Sequence, residues 1–168
     1  MRKQQLIDEL GALGVARGDA VMLHSSLSAL GPVEGGAATV VDALLEAVGR
    51  DGTLLVPAFR SDVWGDTKDF TNSDCDCTSA DGLCPSRQPG FEGAIPREVF
   101  GRRGILRSCH KTTSWVALGP AARRMLEGHQ ASPTPCGPRK PLRASGGVGW
   151  QCSDPGRPRE HDYALAFL

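Results

Sequence analysis

Val-Met-Leu-His-Ser-Ser-Leu-Ser-Ala-Leu-Gly-Pro-Val-Glu-Gly-Gly-Ala, residues 21–37, is the most informative segment of the chain for its topology. A short apolar run that ends in His-Ser-Ser and is followed by a glycine-rich turn predicts a strand leading into a loop. Apolar positions in residues 37–48 then repeat with the period of a helix. A second apolar run, Gly-Thr-Leu-Leu-Val-Pro-Ala-Phe at 52–59, predicts the next buried strand.

Strand, helix and strand in this order predict a right-handed crossover between two parallel strands. We therefore expect an α/β fold with a partly parallel sheet and flanking helices. In such sheets ligands bind beyond the carboxyl ends of the strands. The small polar residues after the first strand thus mark the predicted site.

The rest of the chain contributes shorter elements. Periodicity and caps predict helices over 3–13, from about 95 to 100, and over 121–126, and a strand over 115–118. Residues 60–90 show no sustained period, and we interpret them as a loop on the substrate side of the site. From residue 139 onward no strand or helix pattern is found.

Composition narrows the class of partner. The chain has 168 residues, which suits a single domain, with 19 Lys and Arg against 19 Asp and Glu. This balance disfavours nucleic acid and anionic membranes and favours a small molecule or another protein. The basic opening residues have no apolar segment behind them, and no apolar run is long enough to span a membrane, so we expect a cytoplasmic protein.

Six cysteines stand at positions 75, 77, 84, 109, 136 and 152. Without an export signal their thiols are expected to be reduced. Cys75, Cys77 and Cys84 lie near two aspartates, but a structural zinc site needs four ligands, commonly as paired Cys-x-x-Cys. We therefore predict no metal and keep a structural zinc site as the weaker alternative.

Two histidines have both an ordinary and a functional interpretation. His24, at the end of the first strand, is either a core residue or part of a site where nearby hydroxyls and backbone N–H groups hold a ligand. His110 lies among hydroxyl side chains, in either a surface loop or a second wall of the same cleft. His129 and His161 are expected to be solvated, and Glu92 has no evident acid–base partner in the sequence.

Residues 1–137 resemble the aminoglycoside 3-N-acetyltransferase family, whose fold differs from that of the GNAT acetyltransferases. The motifs that carry the resemblance are the stretch 13–37, Gly-Thr-Leu-Leu-Val-Pro-Ala-Phe (52–59), Pro-Gly-Phe-Glu-Gly-Ala-Ile-Pro (89–96), Leu-Arg-Ser-Cys-His (106–110), Ser-Trp-Val-Ala-Leu-Gly-Pro (114–120) and Thr-Pro-Cys-Gly (134–137). The resemblance implies acetyl transfer from acetyl-CoA, as co-substrate, to an amine of a 2-deoxystreptamine antibiotic, and hence antibiotic resistance.

The resemblance also implies roles for individual residues. Those on the CoA side would be His24, Ser25, Ser26, Leu27, Ser28, Arg107, Ser108 and Ser114. Because an aminoglycoside is polycationic, carboxylates should bind it, and charge alone suggests those in the 60–90 loop, namely Asp62, Asp66, Asp74 and Asp76. The histidine that the family uses as general base has no counterpart after residue 137, which leaves His110 as the candidate catalytic residue.

Residues 138–168 form an atypical tail. A permitted set of codons for residues 157–165, shifted by one base, encodes Asp-Arg-Glu-Asn-Thr-Thr-Thr-His, which resembles the missing family motif. We interpret the tail as a frame-shifted or disordered segment and expect the activity of this chain to be impaired. The alternatives are a natural truncation and a non-catalytic fragment that binds CoA or an aminoglycoside.

Overall fold

The computed structural model describes residues 1–59, 81–85, 92–110 and 113–131, together with the backbone of residues 166–167. Its strands form a mixed sheet with the order β3-β4-β2-β1-β5. They are β1 Ala20–His24, β2 Thr53–Pro57, β3 Leu106–Arg107, β4 Trp115–Leu118 and β5 Ala166–Phe167. The helices are α1 Lys3–Ala12, α2 Gly36–Val48, α3 Ala94–Phe100 and α4 Ala122–Leu126. The expected α/β class with a partly parallel sheet is confirmed.

The β1–α2–β2 unit is the centre of the sheet. β1 and β2 pair in parallel with Ala20 opposite Thr53 and Met22 opposite Leu55, as the strand–helix–strand pattern predicted. α2 ends at Val48 and is capped by Gly49, whose φ of +67° is a conformation that favours glycine. The sequence predicts the two strands over 20–23 and 53–56 and the helix over 37–48, and each differs from the observed element by a single residue at one end.

The sheet is buried on both faces, because successive side chains of its strands point to opposite sides. On one face, α1, α2 and α3 pack against residues that include Leu23, Leu54 and Val116. On the other face, α4 packs against Leu55 and Trp115. This arrangement explains why the two central strands consist almost entirely of apolar residues.

Several short elements were not predicted. β3 has only two residues, and a short 3-10 helix at Leu27–Leu30 interrupts the predicted loop after β1. The expectation that no strand follows residue 139 was wrong, since Ala166–Phe167 pairs in parallel with the end of β1. Within α3, Pro96 lies in the first turn, where its missing N–H leaves no hydrogen bond unmade.

Candidate active site

The ends of four strands meet at one edge of the sheet. β4 runs antiparallel to both β2 and β3, so its amino end lies beside the carboxyl ends of β1, β2 and β3. Trp115, the first residue of β4, is opposite Pro57, the last residue of β2. The sequence-predicted residues that follow β1 and β3 are therefore brought to the same edge, which is the predicted location of the site.

His24 is half-buried at this edge and packs edge-to-face against Trp115, with 5.7 Å between the ring centroids. Phe59 makes the same kind of contact with Trp115 at 5.6 Å. Burial lowers the pKa of the His24 imidazole, so the neutral ring is favoured. His24 thus lies at the edge of the sheet where the ligand site is predicted, rather than in the centre of the core.

The residues after His24 expose hydroxyl groups. Ser26 and Ser28 are exposed, and their hydroxyl oxygens lie 2.8 Å apart in a mutual hydrogen bond. The Ser25 Oγ is buried and has no hydrogen-bond partner among the described residues. Leu27 packs against the core and anchors the segment. The segment therefore presents polar groups at the edge, as a ligand-binding loop requires.

Arg107 is a buried cation at the end of β3, only 6% exposed. Its Nη2 donates to the Ala58 carbonyl oxygen at 3.1 Å, and its guanidinium carbon lies 5.5 Å from the centroid of the Phe100 ring. These contacts hold the side chain against β2 and α3. The positive charge is consequently fixed near the edge, where it acts against the burial that raises the pKa of the Glu92 carboxyl.

Ser108 and Ser114 connect strands instead of facing solvent; they are 0% and 2% exposed. The Ser108 Oγ accepts a hydrogen bond from the Trp115 backbone N–H at 2.8 Å. The Ser114 Oγ donates to the His110 carbonyl oxygen at 3.0 Å, and the Ser114 carbonyl accepts from the Ala58 N–H. Both serines, predicted to face the cleft, therefore hold the strand ends that form it.

His110 and His129 stack at the same edge, with ring centroids 4.5 Å apart and planes inclined by 17°. The His110 Nδ1 accepts from the Thr113 N–H at 3.0 Å, so in the neutral His110 ring the proton is on Nε2. The expectation that His129 is solvated was wrong: it is fully buried, and its Nδ1 lies 2.8 Å from the Ser108 Oγ.

Glu92 is a residue of the edge that sequence reasoning did not assign to the site. Its Oε1 accepts a hydrogen bond from the Phe59 N–H, and its buried Oε2 has no hydrogen-bond partner among the described residues. Burial raises the pKa of this carboxyl, against the Phe59 N–H and the Arg107 charge, which lower it. Glu92 and Phe59 are 33 residues apart in the sequence, so no local pattern predicts the contact between them.

The remaining predicted site residues, Asp62, Asp66, Asp74 and Asp76, lie outside the described residues. Cys75 and Cys77, the two close-spaced thiols of the weaker zinc hypothesis, also lie outside them. Within the described ranges, no group of three His, Cys, Asp or Glu side chains is arranged to hold a metal ion. None of the helices in the described part of the chain is long and apolar enough to cross a membrane.

The edge combines three kinds of chemical group. It has hydrogen-bond donors and acceptors on serine side chains, a fixed guanidinium and a half-buried carboxyl. Acyl transfer to an amine requires groups that bind the acyl donor, donors that stabilise a developing oxyanion and an acceptor for the amine proton. The described residues include candidates for binding the acyl donor and for stabilising the oxyanion. Glu92 and His110 are titratable side chains of the edge and are the candidates for accepting the amine proton.

Residues 22–145 match the family model described as aminoglycoside 3-N-acetyltransferase. The aminoglycoside N(3)-acetyltransferase VIII of Streptomyces fradiae is 36% identical in an alignment 155 positions long that covers 86% of this chain and 52% of that protein. The aminoglycoside N(3)-acetyltransferase VII of Streptomyces paromomycinus is 33% identical in an alignment 176 positions long, gaps included, that covers 99% of this chain and 58% of that protein. The chain thus spans about half the length of these relatives.

Solved structures agree with these matches. The aminoglycoside acetyltransferase AAC(3)-Xa has a TM-score of 0.69 and 35% identity, over 85% of this chain and 52% of its own. AAC-VIa bound to sisomicin has a TM-score of 0.64 and 33% identity, over 84% and 54% of the two chains. AAC-IIIb in binary complex with CoASH has a TM-score of 0.62 and 25% identity, over 85% and 55%. The family model covers most of the sequence, and the chain belongs to the aminoglycoside 3-N-acetyltransferase family.

Proposed function

We propose that the edge formed by β1, β2, β3 and β4 binds acetyl-CoA and takes part in acetyl transfer to an amino group of a 2-deoxystreptamine aminoglycoside. The observation that carries this proposal is the convergence of the His24–Ser28 segment with Arg107 and Trp115 at one edge in a member of this family. Relatives of similar fold bind CoASH and sisomicin, which supports both halves of the proposal.

In this proposal the His24–Ser28 segment lines the pantetheine arm of acetyl-CoA. The exposed Ser26 and Ser28 hydroxyls and the buried Ser25 Oγ are suited to the amide groups of that arm. Arg107 supplies a fixed positive charge from the next strand end, while Ser108 and Ser114 keep that strand end in place. A cytoplasmic location is part of the proposal, because acetyl-CoA is an intracellular metabolite.

The acceptor is the amine of a polycation, which needs negative groups around it. We propose Asp62, Asp66, Asp74 and Asp76 for this purpose, on the charge argument given above. During transfer the amine nitrogen forms a bond to the thioester carbonyl carbon, the C–S bond breaks and CoA leaves as a thiolate that takes up a proton. The amine gives up one proton in the same reaction, and His110 is the proposed acceptor for it.

A neutral imidazole accepts a proton only at the ring nitrogen that carries none, which in His110 is Nδ1. In the structure Nδ1 accepts from the Thr113 N–H, so the neutral ring carries its proton on Nε2. The reaction is therefore expected to be slow in this chain even when both ligands bind. Proton uptake would require His110 to lose the Thr113 hydrogen bond first.

A thiol-release assay with acetyl-CoA and a panel of aminoglycosides tests the proposal. Release of CoA that depends on the antibiotic supports the transferase. Saturable binding of acetyl-CoA without CoA release would instead support the binding-only alternative. Failure to bind either acetyl-CoA or any aminoglycoside would contradict both.

We also propose that residues 138–168 are a frame-shifted reading of the family sequence. The support is the codon set for residues 157–165 that restores an Asn-Thr-Thr-x-His motif after a shift of one base. Resequencing the coding DNA from codon 130 onward tests this directly. An inserted or missing base would support the proposal, and an unchanged reading frame would contradict it.

A further inference from the structure

Trp115 is a buried aromatic residue at the site edge, at 5% exposed. Its indole lies between His24 and Phe59, with both rings at nearly right angles to it. The Ser108 Oγ accepts from its backbone N–H at 2.8 Å, and its place opposite Pro57 in the sheet fixes its Cα. The side chain is thus held rigidly where the ends of β1, β2 and β4 meet.

The indole nitrogen of Trp115 is buried but has no hydrogen-bond acceptor among the described residues. An indole N–H is only a donor, so its partner must be an acceptor. A buried donor without a partner costs free energy, and most buried polar groups in native proteins are paired. A ligand that offers an acceptor at this position would supply the missing partner.

The neighbouring protein acceptors do not fill this role. The Glu92 carboxylate reaches the Phe59 backbone through Oε1, but its buried Oε2 has no hydrogen-bond partner within the described ranges. The Ser25 hydroxyl, next to the His24 ring that packs on Trp115, is likewise buried and unpaired there. These unpaired groups lie on neighbouring chain segments of one edge. A polar ligand bound at this edge would form hydrogen bonds with them.

We propose that the Trp115 indole N–H donates a hydrogen bond to a carbonyl oxygen of the acyl-pantetheine arm of acetyl-CoA. This inference rests on the proposed function, because it assumes that acetyl-CoA occupies the edge lined by His24 and Ser25. The arm contains two kinds of carbonyl, the thioester and the pantetheine amides. Since the indole N–H is neutral and rigidly placed, it suits a carbonyl oxygen and would also stabilise negative charge on a thioester oxygen during transfer.

The direct test compares Trp115→Phe with the wild type in calorimetric titrations of the full chain with acetyl-CoA and with CoA. Phe keeps an aromatic ring but removes the N–H. Loss of one neutral hydrogen bond should weaken acetyl-CoA binding about 3- to 10-fold. Because CoA lacks the thioester carbonyl, its affinity should stay unchanged if that carbonyl is the acceptor, and should fall by the same factor if an amide carbonyl is.

Leu55→Val is the matched control, since Leu55 is fully buried in the same cluster as Trp115 and carries no polar side-chain atom. It should leave both affinities within about twofold of the wild type, because it perturbs packing without removing a donor. Unchanged affinities in Trp115→Phe, with normal binding by the wild type, would overturn the inference alone. A wild type that binds neither ligand would overturn the proposed function as well.

A second measurement observes the Trp115 indole itself and therefore does not depend on whether Trp115→Phe folds. Nitrogen-15 labelling of tryptophan gives one indole N–H signal for each of the three tryptophans. Trp64→Phe and Trp150→Phe identify the remaining signal as that of Trp115. A downfield shift of its proton on addition of acetyl-CoA supports the hydrogen bond, and an unmoved signal at saturation contradicts it.

Discussion

Ser108 is the residue on which the geometry of the site edge most depends. Its completely buried hydroxyl contacts both the Trp115 backbone N–H and the His129 ring, each at 2.8 Å. Through these contacts one small side chain connects the end of β3 to the start of β4 and to the segment after α4. The position of the indole at the site therefore follows from a serine that does not itself face the cleft.

Ser108→Ala should destabilise the fold by about 1–3 kcal/mol, because the buried Trp115 N–H would lose its acceptor. The free energy of unfolding in urea measures this effect. Ser26→Ala is the matched control: Ser26 is exposed and its hydroxyl bonds to that of Ser28, which is exposed as well, so the loss of this hydroxyl should cost less than about 0.5 kcal/mol. Equal effects of the two substitutions would contradict the structural role of Ser108.

Glu92 gives a prediction about pH. In the folded protein burial raises its pKa above the ordinary value of 4.5, so the folded state binds more protons than the unfolded state between 4.5 and the raised pKa. The contribution of Glu92 to stability therefore decreases as the pH rises through that window. Glu92→Gln keeps an oxygen acceptor for the Phe59 N–H but carries no charge.

We expect Glu92→Gln to be more stable than the wild type at pH 7, and this advantage should shrink as the pH falls towards 4.5. Urea midpoints measured across this range test the expectation. Glu98→Gln serves as the control, because Glu98 forms an ion pair with Arg102 at 2.9 Å and its replacement should not stabilise the protein. A lower midpoint for Glu92→Gln at pH 7 would contradict the account.

The sequence identifies some residues of the edge but not their contacts. His24 and Ser25 could be predicted, because they lie at the carboxyl end of a strongly apolar strand, which is where ligands bind in such sheets. His129 and Glu92 could not, since their contacts to Ser108 and Phe59 span 21 and 33 residues of chain. Such contacts depend on how α4 and α3 pack, which no local pattern encodes.

At the scale of elements, the turn between β4 and α4 depends on Gly119. Its φ of +138° favours glycine, and a side chain there would meet the Gly52 carbonyl oxygen and would lie 2.6 Å from the Thr53 Cα. The following turn is held by a hydrogen bond from the Ala121 N–H to the Thr53 Oγ1 at 3.1 Å. Gly119 therefore allows α4 to approach the sheet on the face that carries Trp115.

Gly119→Ala should be more destabilising than Gly104→Ala. At Gly104 the φ is +82°, so an alanine there would have a strained backbone, which costs about 1–2 kcal/mol. Its Cβ would not overlap other atoms, because the nearest one, in the Leu118 side chain, would be 3.9 Å away. At Gly119 the overlap with backbone atoms should add a further 1–3 kcal/mol, roughly. Thermal or urea unfolding of the two variants measures the difference, and equal losses would contradict the close approach.

Long periodic elements were predictable, whereas short ones were not. α2 and the strands on either side of it have many apolar positions with one clear period, so their bounds were nearly correct. β3 and β5 have two residues each, which is too short for any period, and they exist because a neighbouring strand offers unpaired backbone groups. Tertiary pairing, not local preference, determines these elements.

For the molecule as a whole, family membership and the common edge support the proposal that this chain binds acetyl-CoA there. The family resemblance of residues 1–137 was recognisable from motifs and is confirmed by the family model over residues 22–145. The aspartates proposed for the aminoglycoside were selected by charge alone and remain a prediction. The residues proposed to bind acetyl-CoA are described in the structure, so substitutions at these residues give the best test of the proposal.

The most direct measurement is a calorimetric titration of acetyl-CoA into the full chain and into Ser25→Ala. We predict saturable binding at one site and a loss of affinity of about 2- to 10-fold in Ser25→Ala, because the proposed site pairs the ligand with this hydroxyl, which is buried and has no partner among the described residues. Thr39→Val, which removes a hydroxyl within α2, should bind like the wild type. Absence of saturable binding in the wild type, or equal affinities in Ser25→Ala and the wild type, would contradict the claim.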